Sequence, residues 1–345
     1  MNDVRKLLLL VLLFIPINVS AFESSAKSAI LMDMDSGRVL YEKNSDYVQS
    51  VASISKIMTA IIAIENNDIE REVIIGDEVL KAYGSGIYVQ VGEKLKIKDL
   101  LYGLLMRSGN DAALALAFHT SGDISKFVEL MNLKGQKLGM KNTIFHNPCG
   151  LDEEDEGNLS SSFDMALLMK YAMKNKIFRE IVKTKSYSLK TNKNVYKWKN
   201  KHKLLYSYKY MTGGKTGYTK KAKRTLVSTA SKNNLNLTIV TINDANDFKD
   251  HVSLFEEAFE KYTNYIFLKK GVIKIPLDYY YRGDSFYIKK NVSYPLSVNE
   301  EKLVKIKYEL FKVRNYKNND MVGYVKVYLG NLLVRKEKIY IRVKK

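Results

Sequence analysis

The hydrophobic periodicity of this chain changes in an order that few architectures accommodate: strands, then helices, then strands and a closing helix. Ala29–Met34 and Arg38–Tyr41 alternate around Asp35-Ser36-Gly37, the pattern of a hairpin with a Gly turn. From Ser53 the apolar residues Ile54, Ile57, Met58, Ile61 and Ile62 recur at helical spacing and form a wide buried stripe. Leu100–Phe118 is helical on either side of Ser108-Gly109-Asn110, and Ser160–Lys174 predicts a helix capped by serines with Asp164 in its first turns. Thr225–Ser231 and Leu235–Ile242 then alternate around Lys232-Asn233-Asn234, and a final helix covers Phe248–Tyr262. This order predicts an α+β fold, an antiparallel sheet packed by helices.

Beyond Tyr262 the pattern becomes strand-rich, with short strands expected at Ile266–Leu268, Val272–Ile275, Ser285–Ile288, Leu303–Tyr308, Val322–Leu329 and Lys338–Val343. Turns such as Arg282-Gly283-Asp284 separate them, and a small β-sandwich or barrel follows. Charge shifts at the same place. Residues 263–345 hold 19 Lys and Arg against 7 Asp and Glu, whereas residues 22–262 hold 35 against 29. A chain of 345 residues suits two domains, with the boundary near Tyr262.

The formal charge of +19 would suggest nucleic acid, but the first 21 residues argue otherwise. Arg5 and Lys6 precede an apolar run from Leu7 to Ile15, and Pro16 breaks it ahead of Val19-Ser20-Ala21. Residues 1–21 therefore read as a signal peptide cleaved after Ala21, leaving residues 22–345 to work outside the cytoplasm. An exported basic protein meets anionic lipids and wall polymers rather than DNA. The one cysteine, Cys149, excludes an internal disulfide and a Cys-rich metal site, and the four histidines are not spaced as metal ligands. No metal or cofactor is expected, so catalysis falls to Ser, Lys, Asp, Glu, Tyr or Asn.

Three short motifs carry chemistry. Ser53-Ile54-Ser55-Lys56 opens the apolar helix, so Ser53 and Lys56 lie one turn apart, with apolar neighbours that would desolvate the lysine and lower its pKa. Ser108-Gly109-Asn110 interrupts an apolar helical stretch and can expose a hydroxyl and an amide to a cleft, or be a plain helix–helix turn. Gly214-Lys215-Thr216-Gly217-Tyr218 precedes a strand rather than a helix, which excludes a phosphate-binding P-loop. It offers an ammonium and a hydroxyl to a carboxylate, with Gly217 allowing close backbone approach. Each alone is weak. Together, spaced by 55 and 107 residues, they form the set used by penicillin-interacting serine enzymes.

On these residues the chain resembles the low-molecular-mass penicillin-binding proteins that are serine-type D-Ala-D-Ala carboxypeptidases. The likeness runs over about residues 28–262 and includes Ala29-Ile30-Leu31-Met32-Asp33, Gly37-Arg38-Val39-Leu40-Tyr41, Gly84-Ser85, Val91-Gly92-Glu93, and Asn147-Pro148 with Gly150-Leu151-Asp152. It implies a β-lactamase/transpeptidase-like domain followed by a small all-β C-terminal domain. It implies Ser53 as acylated nucleophile, Lys56 as its base, Ser108 as proton relay to the leaving D-alanine, and Asn110 as a residue that orients Lys56 and binds the substrate peptide. Lys215 and Thr216 would hold the substrate carboxylate beside Gly217, and the backbone N–H groups of Ser53 and Tyr218 would form the oxyanion hole. The implied partners are peptidoglycan stem peptides ending in D-Ala-D-Ala and β-lactams, with an anionic membrane or wall polymer met through the basic tail, and no nucleic acid.

Departures from the family pattern are Val51, Cys149, His202, Lys223 and Thr225, the last two replacing a glycine and a cysteine and bearing on the cleft. DD-endopeptidase action on cross-links is a close variant. A serine β-lactamase would need a deacylating glutamate, for which Glu156 in the acidic run Asp152–Gly157 is the nearest match. A calcium loop counted from Asp152 fails, because Phe163 stands where glutamate is required. A non-catalytic wall-binding homologue would be expected to lack Ser53 or Lys56.

Overall fold

The computed structural model describes residues 23–152, 157–276, 279–281 and 283–344. The signal-peptide reading of residues 1–21, Glu153–Glu156 and Arg282 lie outside the described residues. Five antiparallel strands form the central sheet in the order Val39–Lys43, Ser28–Asp33, Leu235–Ile242, Lys223–Lys232, Met211–Thr219. Alternation assigns its two faces. Leu235, Leu237 and Ile239 pack on Leu254, Phe255 and Ala258 of the helix Asp247–Lys261, whereas Val240 and Ile242 enter the larger core on the other face. The fold is thus α+β, with helices on both sides of the sheet.

The helix Lys56–Asn66 is the spine of that larger core. The expected stripe covers one face, yet every residue from Lys56 to Ile64 is buried. Ala60 and Ala63, small enough to admit neighbours, and the helices Asn110–Ser121 and Ser162–Ala172 close the remaining sides. Ser161 caps the latter helix by accepting from the Asp164 N–H at 3.2 Å. The helices Ile124–Leu138 and Lys176–Lys183 and the hairpin Ser186–Lys190/Val195–Lys199 are additional to the expected elements.

The C-terminal part is a β domain. A five-stranded sheet runs Gly271–Ile273, Ser285–Ile288, Leu332–Arg342, Met321–Leu329, Val304–Leu310, and a ribbon of Tyr262–Leu268 with Val292–Ser297 packs over it. This is the sandwich rather than the barrel. The strand Val292–Ser297 is unexpected because Pro295 argues against a strand; the ribbon is two-stranded and tolerates it at an edge. Arg38 joins the two parts, donating to the Pro295 carbonyl at 2.6 Å and pairing with both oxygens of Glu300.

One local strain is visible where the family pattern has glycine. Lys223 sits at φ 58°, in the left-handed region. Lys223→Gly is expected to raise stability by up to about 1 kcal/mol, read as a higher unfolding midpoint in urea.

Candidate active site

The chain enters the site through a tight turn. Ala52 adopts φ 52°, and Ala52–Ser55 forms a 3-10 turn before the α-helix begins at Lys56. Ser53 is therefore not in the first turn of an α-helix as its sequence context suggests. In a 3-10 turn residues i and i+3 eclipse, which brings Ser53 Oγ to 3.0 Å from Lys56 Nζ. Lys56 is fully buried. It also donates to Asn110 Oδ1 at 2.7 Å and to the carbonyl of Cys149. Burial pushes its pKa down to about 8; the charge of Lys201 acts in the same sense, and Asp111 opposes it.

Ser108 follows a π-helical turn, Gly103–Arg107, and takes φ 62° and ψ 35°. The strained backbone of this motif thus falls on Ser108, while Gly109 is extended and glycine for reasons of space: an added Cβ there would lie 2.9 Å from Asp111 Oδ1 and 3.2 Å from Ile87. Asn110 is held from two sides, its N–H donating to the Ser85 carbonyl at 2.7 Å and its Nδ2 to the Tyr83 carbonyl at 2.5 Å. The Asp111 carboxylate accepts from the N–H groups of Ile87 and Tyr88, so the 83–88 loop is fastened to the same helix start.

The edge strand Met211–Thr219 supplies the third wall. Lys215 Nζ donates to Ser108 Oγ at 2.9 Å and to the Thr216 carbonyl at 2.6 Å. Burial holds the Lys215 ammonium well below the usual lysine range, reinforced by the nearby Lys56 and Lys201. Gly217 faces Thr225 across the ladder. A Cβ at Gly217 would sit 2.3 Å from Thr225 Oγ1, 3.0 Å from Ser53 N and 3.1 Å from Ile54 N. Gly217→Ala is expected to displace the strand from the nucleophile turn and lower the acylation rate by about 10²–10³, the loss typical of a spoiled oxyanion hole. Stopped-flow acylation by a reporter β-lactam measures it, with circular dichroism checking the fold.

Ser53, Ser108, Thr216, Gly217 and Tyr218 line one cleft of about 330 Å³, with Lys56, Asn110 and Lys215 buried in its wall. All eight residues singled out in the sequence therefore meet. Others there were not assigned roles from sequence. Asn147 Oδ1 accepts from the N–H groups of Cys149 and Gly150 and turns the loop so that the Cys149 carbonyl faces Lys56. Gly150, at φ 75°, packs on the nucleophile turn: a Cβ would lie 2.1 Å from the Ala52 carbonyl oxygen. The Asn147-Pro148-Cys149-Gly150 segment signals this loop, but not that a carbonyl is its working group. The Cys149 thiol is buried beside the Asn110 carbonyl, 3.5 Å away. Lys201 and Lys203 also line the cleft, and Lys201 donates to Ser85 Oγ at 3.2 Å.

The departures are accommodated locally. His202 lies beneath Gly214 rather than in the cleft, its Nε2 3.1 Å from the Val227 carbonyl and 3.0 Å from Ser228 Oγ, and burial pushes its pKa down to about 4. Thr225 Oγ1 donates to the Val51 carbonyl at 3.1 Å, tying the neighbouring strand to the residue before Ala52. Among the described residues lining the cleft, the carboxylate is Asp247, engaged by Arg224 at 2.6 and 3.1 Å. Asn158 is buried and pins the Asn147 loop by accepting from the N–H groups of His146 and Asn147.

Residues 16–246 match the peptidase family S11, D-alanyl-D-alanine carboxypeptidase. The D-alanyl-D-alanine carboxypeptidase DacF of Bacillus subtilis is 34% identical over 295 residues, spanning 82% of this chain and 74% of that one. The D-alanyl-D-alanine endopeptidase of Escherichia coli is 29% identical over 248 residues, spanning 70% and 74%. Penicillin binding protein 5 from Haemophilus influenzae superposes with a TM-score of 0.77 at 26% identity, covering 94% of this chain and 98% of that one.

Proposed function

The chain belongs to the D-alanyl-D-alanine carboxypeptidase family of serine peptidases, and from that premise we propose that Ser53 carries the acyl group while Lys56, Ser108, Asn110 and Lys215 serve it. The enzyme is a serine hydrolase that removes the terminal D-alanine of peptidoglycan stem peptides and binds penicillin. The observation that carries the residue assignment is the 3.0 Å approach of Ser53 Oγ to a fully buried Lys56.

In the neutral form, Lys56 takes the Ser53 proton as Oγ attacks the penultimate carbonyl. Asn110 Oδ1 and the Cys149 carbonyl hold Nζ in place for that transfer. The tetrahedral oxyanion lies against the N–H groups of Ser53 and Tyr218. Ser108, fixed by Lys215, relays to the departing amine the proton that Lys56 took from Ser53, which returns Lys56 to its neutral form, and Lys215 and Thr216 bind the carboxylate of the leaving D-alanine. Water then releases the acyl group by the reverse sequence.

Residues 22–262 form the catalytic unit in this reading, and residues 263–345 a basic module that keeps it near anionic polymer or headgroups outside the cytoplasm. No helix among the described residues is long and apolar enough to cross a membrane. The substrate is tested by comparing D-alanine release from a pentapeptide ending in D-Ala-D-Ala with cleavage of a cross-linked dimer. Faster release from the pentapeptide is expected; cleavage of the dimer alone would make the enzyme an endopeptidase.

A further inference from the structure

A second cleft, of about 830 Å³, lies where the catalytic unit meets the C-terminal β domain, apart from the cleft that holds Ser53. Its walls carry six cations: Lys170, Lys174 and Arg179 from the helical side, and Lys290, Arg335 and Lys336 from the β domain. Two carboxylates, Asp35 and Glu337, share the space. None of the six makes an ion pair among the described residues, although Lys134, Arg38 and Lys326 elsewhere find glutamates. Arg179 is turned to the carbonyls of Met173 and Lys174, and Arg335 to the carbonyl of Asp35. The ammonium groups of Lys170, Lys174 and Lys290 have no hydrogen-bond partner among the described residues.

Lys170 is the most constrained of them. Its Nζ lies so close to Gly37 that a Cβ there would be 2.5 Å away. Burial lowers its pKa, the like charges of Lys174 and Arg335 add to that lowering, and the carboxylates of Asp33 and Asp35 oppose it. A recessed surface that gathers mutually repelling cations focuses a positive field and is relieved by an anion. Lysine and arginine together suit phosphate, which keeps its charge as a diester at every physiological pH. Hydroxyl and amide groups of Thr212 and Asn291 line the same space.

The geometry points to this junction cleft as a binding site for successive phosphodiester groups of an anionic wall polymer. The charges line the two walls of a cleft rather than a flat face, which favours a threading chain over a bilayer. The inference rests on the attachment role proposed for the β domain and gives it a place, one that includes residues of the catalytic unit.

The test uses the full mature chain, soluble poly(glycerol phosphate), and vesicles of phosphatidylglycerol as a second arm. K174E/K290E changes two exposed cleft lysines, and K305E/K307E makes the same charge change on the outer strand Val304–Leu310. D-alanine release by both variants checks that they fold. Polymer affinity is expected to fall by about tenfold or more in K174E/K290E and much less in K305E/K307E, with the logarithmic salt slope reduced by about two in the former. Equal losses in the two variants, or binding to vesicles without binding to polymer, would overturn the cleft site while leaving attachment in place. No binding of the wild-type chain to either probe would remove the attachment reading as well.

Discussion

Replacing Ser53 by alanine is expected to abolish both D-alanine release and penicillin acylation, a loss of about 10⁴–10⁶ in rate, while the protein stays folded. Ser53 is partly exposed at the cleft, and its Oγ accepts from Lys56 Nζ at 3.0 Å and approaches the Cys149 carbonyl at 3.5 Å. Removing the hydroxyl deletes the atom that forms the acyl bond and leaves no cavity in the core. An unchanged melting temperature with no measurable release separates this from misfolding. Residual activity near wild type would mean that another group is acylated.

Lys56→Ala is expected to cost about 10²–10⁴ in acylation, the usual contribution of a positioned general base. The wild-type pH profile gives a sharper readout. A lysine with pKa near 8 is neutral in about a tenth of molecules at pH 7, and only the neutral form accepts the Ser53 proton. The acylation rate should therefore rise with pH and level off above about 8. Lys201 contributes to lowering this pKa, so Lys201→Gln should move the rise to higher pH. A flat profile between pH 6 and 9 would exclude Lys56 as the titrating base. The alanine variant also loses the contacts to Asn110 and the Cys149 carbonyl, so its thermal unfolding is measured beside its rate.

The motifs made the catalytic cleft legible because their chemistry depends on short-range spacing. Ser53 and Lys56 are three apart, and any right-handed turn brings such residues onto one side. What spacing could not supply is the kind of turn: an α-helix from Ser53 was the natural reading, and the 3-10 turn Ala52–Ser55 arises from long-range packing, with Gly150 seated on the Ala52 carbonyl. The role of the Cys149 carbonyl was hidden for a related reason, since a backbone group leaves no mark on composition. The central sheet was legible because Thr225–Ser231 and Leu235–Ile242 alternate or run apolar between turn residues. The helix Ile124–Leu138 buries only Phe127, Met131 and Gly135, too sparse a stripe to stand out. Pro295 concealed a strand that survives because its ribbon has two edges.

The most direct measurement is mass spectrometry of the mature chain after exposure to benzylpenicillin, first intact and then as proteolytic peptides. One penicilloyl group per chain, carried by the peptide containing Ser53 and absent from the Ser53→Ala protein, is the predicted result. An adduct on Ser108 or Cys149, or turnover of the drug with no adduct at any time, would contradict the assignment of Ser53 as the acylated nucleophile of a D-Ala-D-Ala carboxypeptidase.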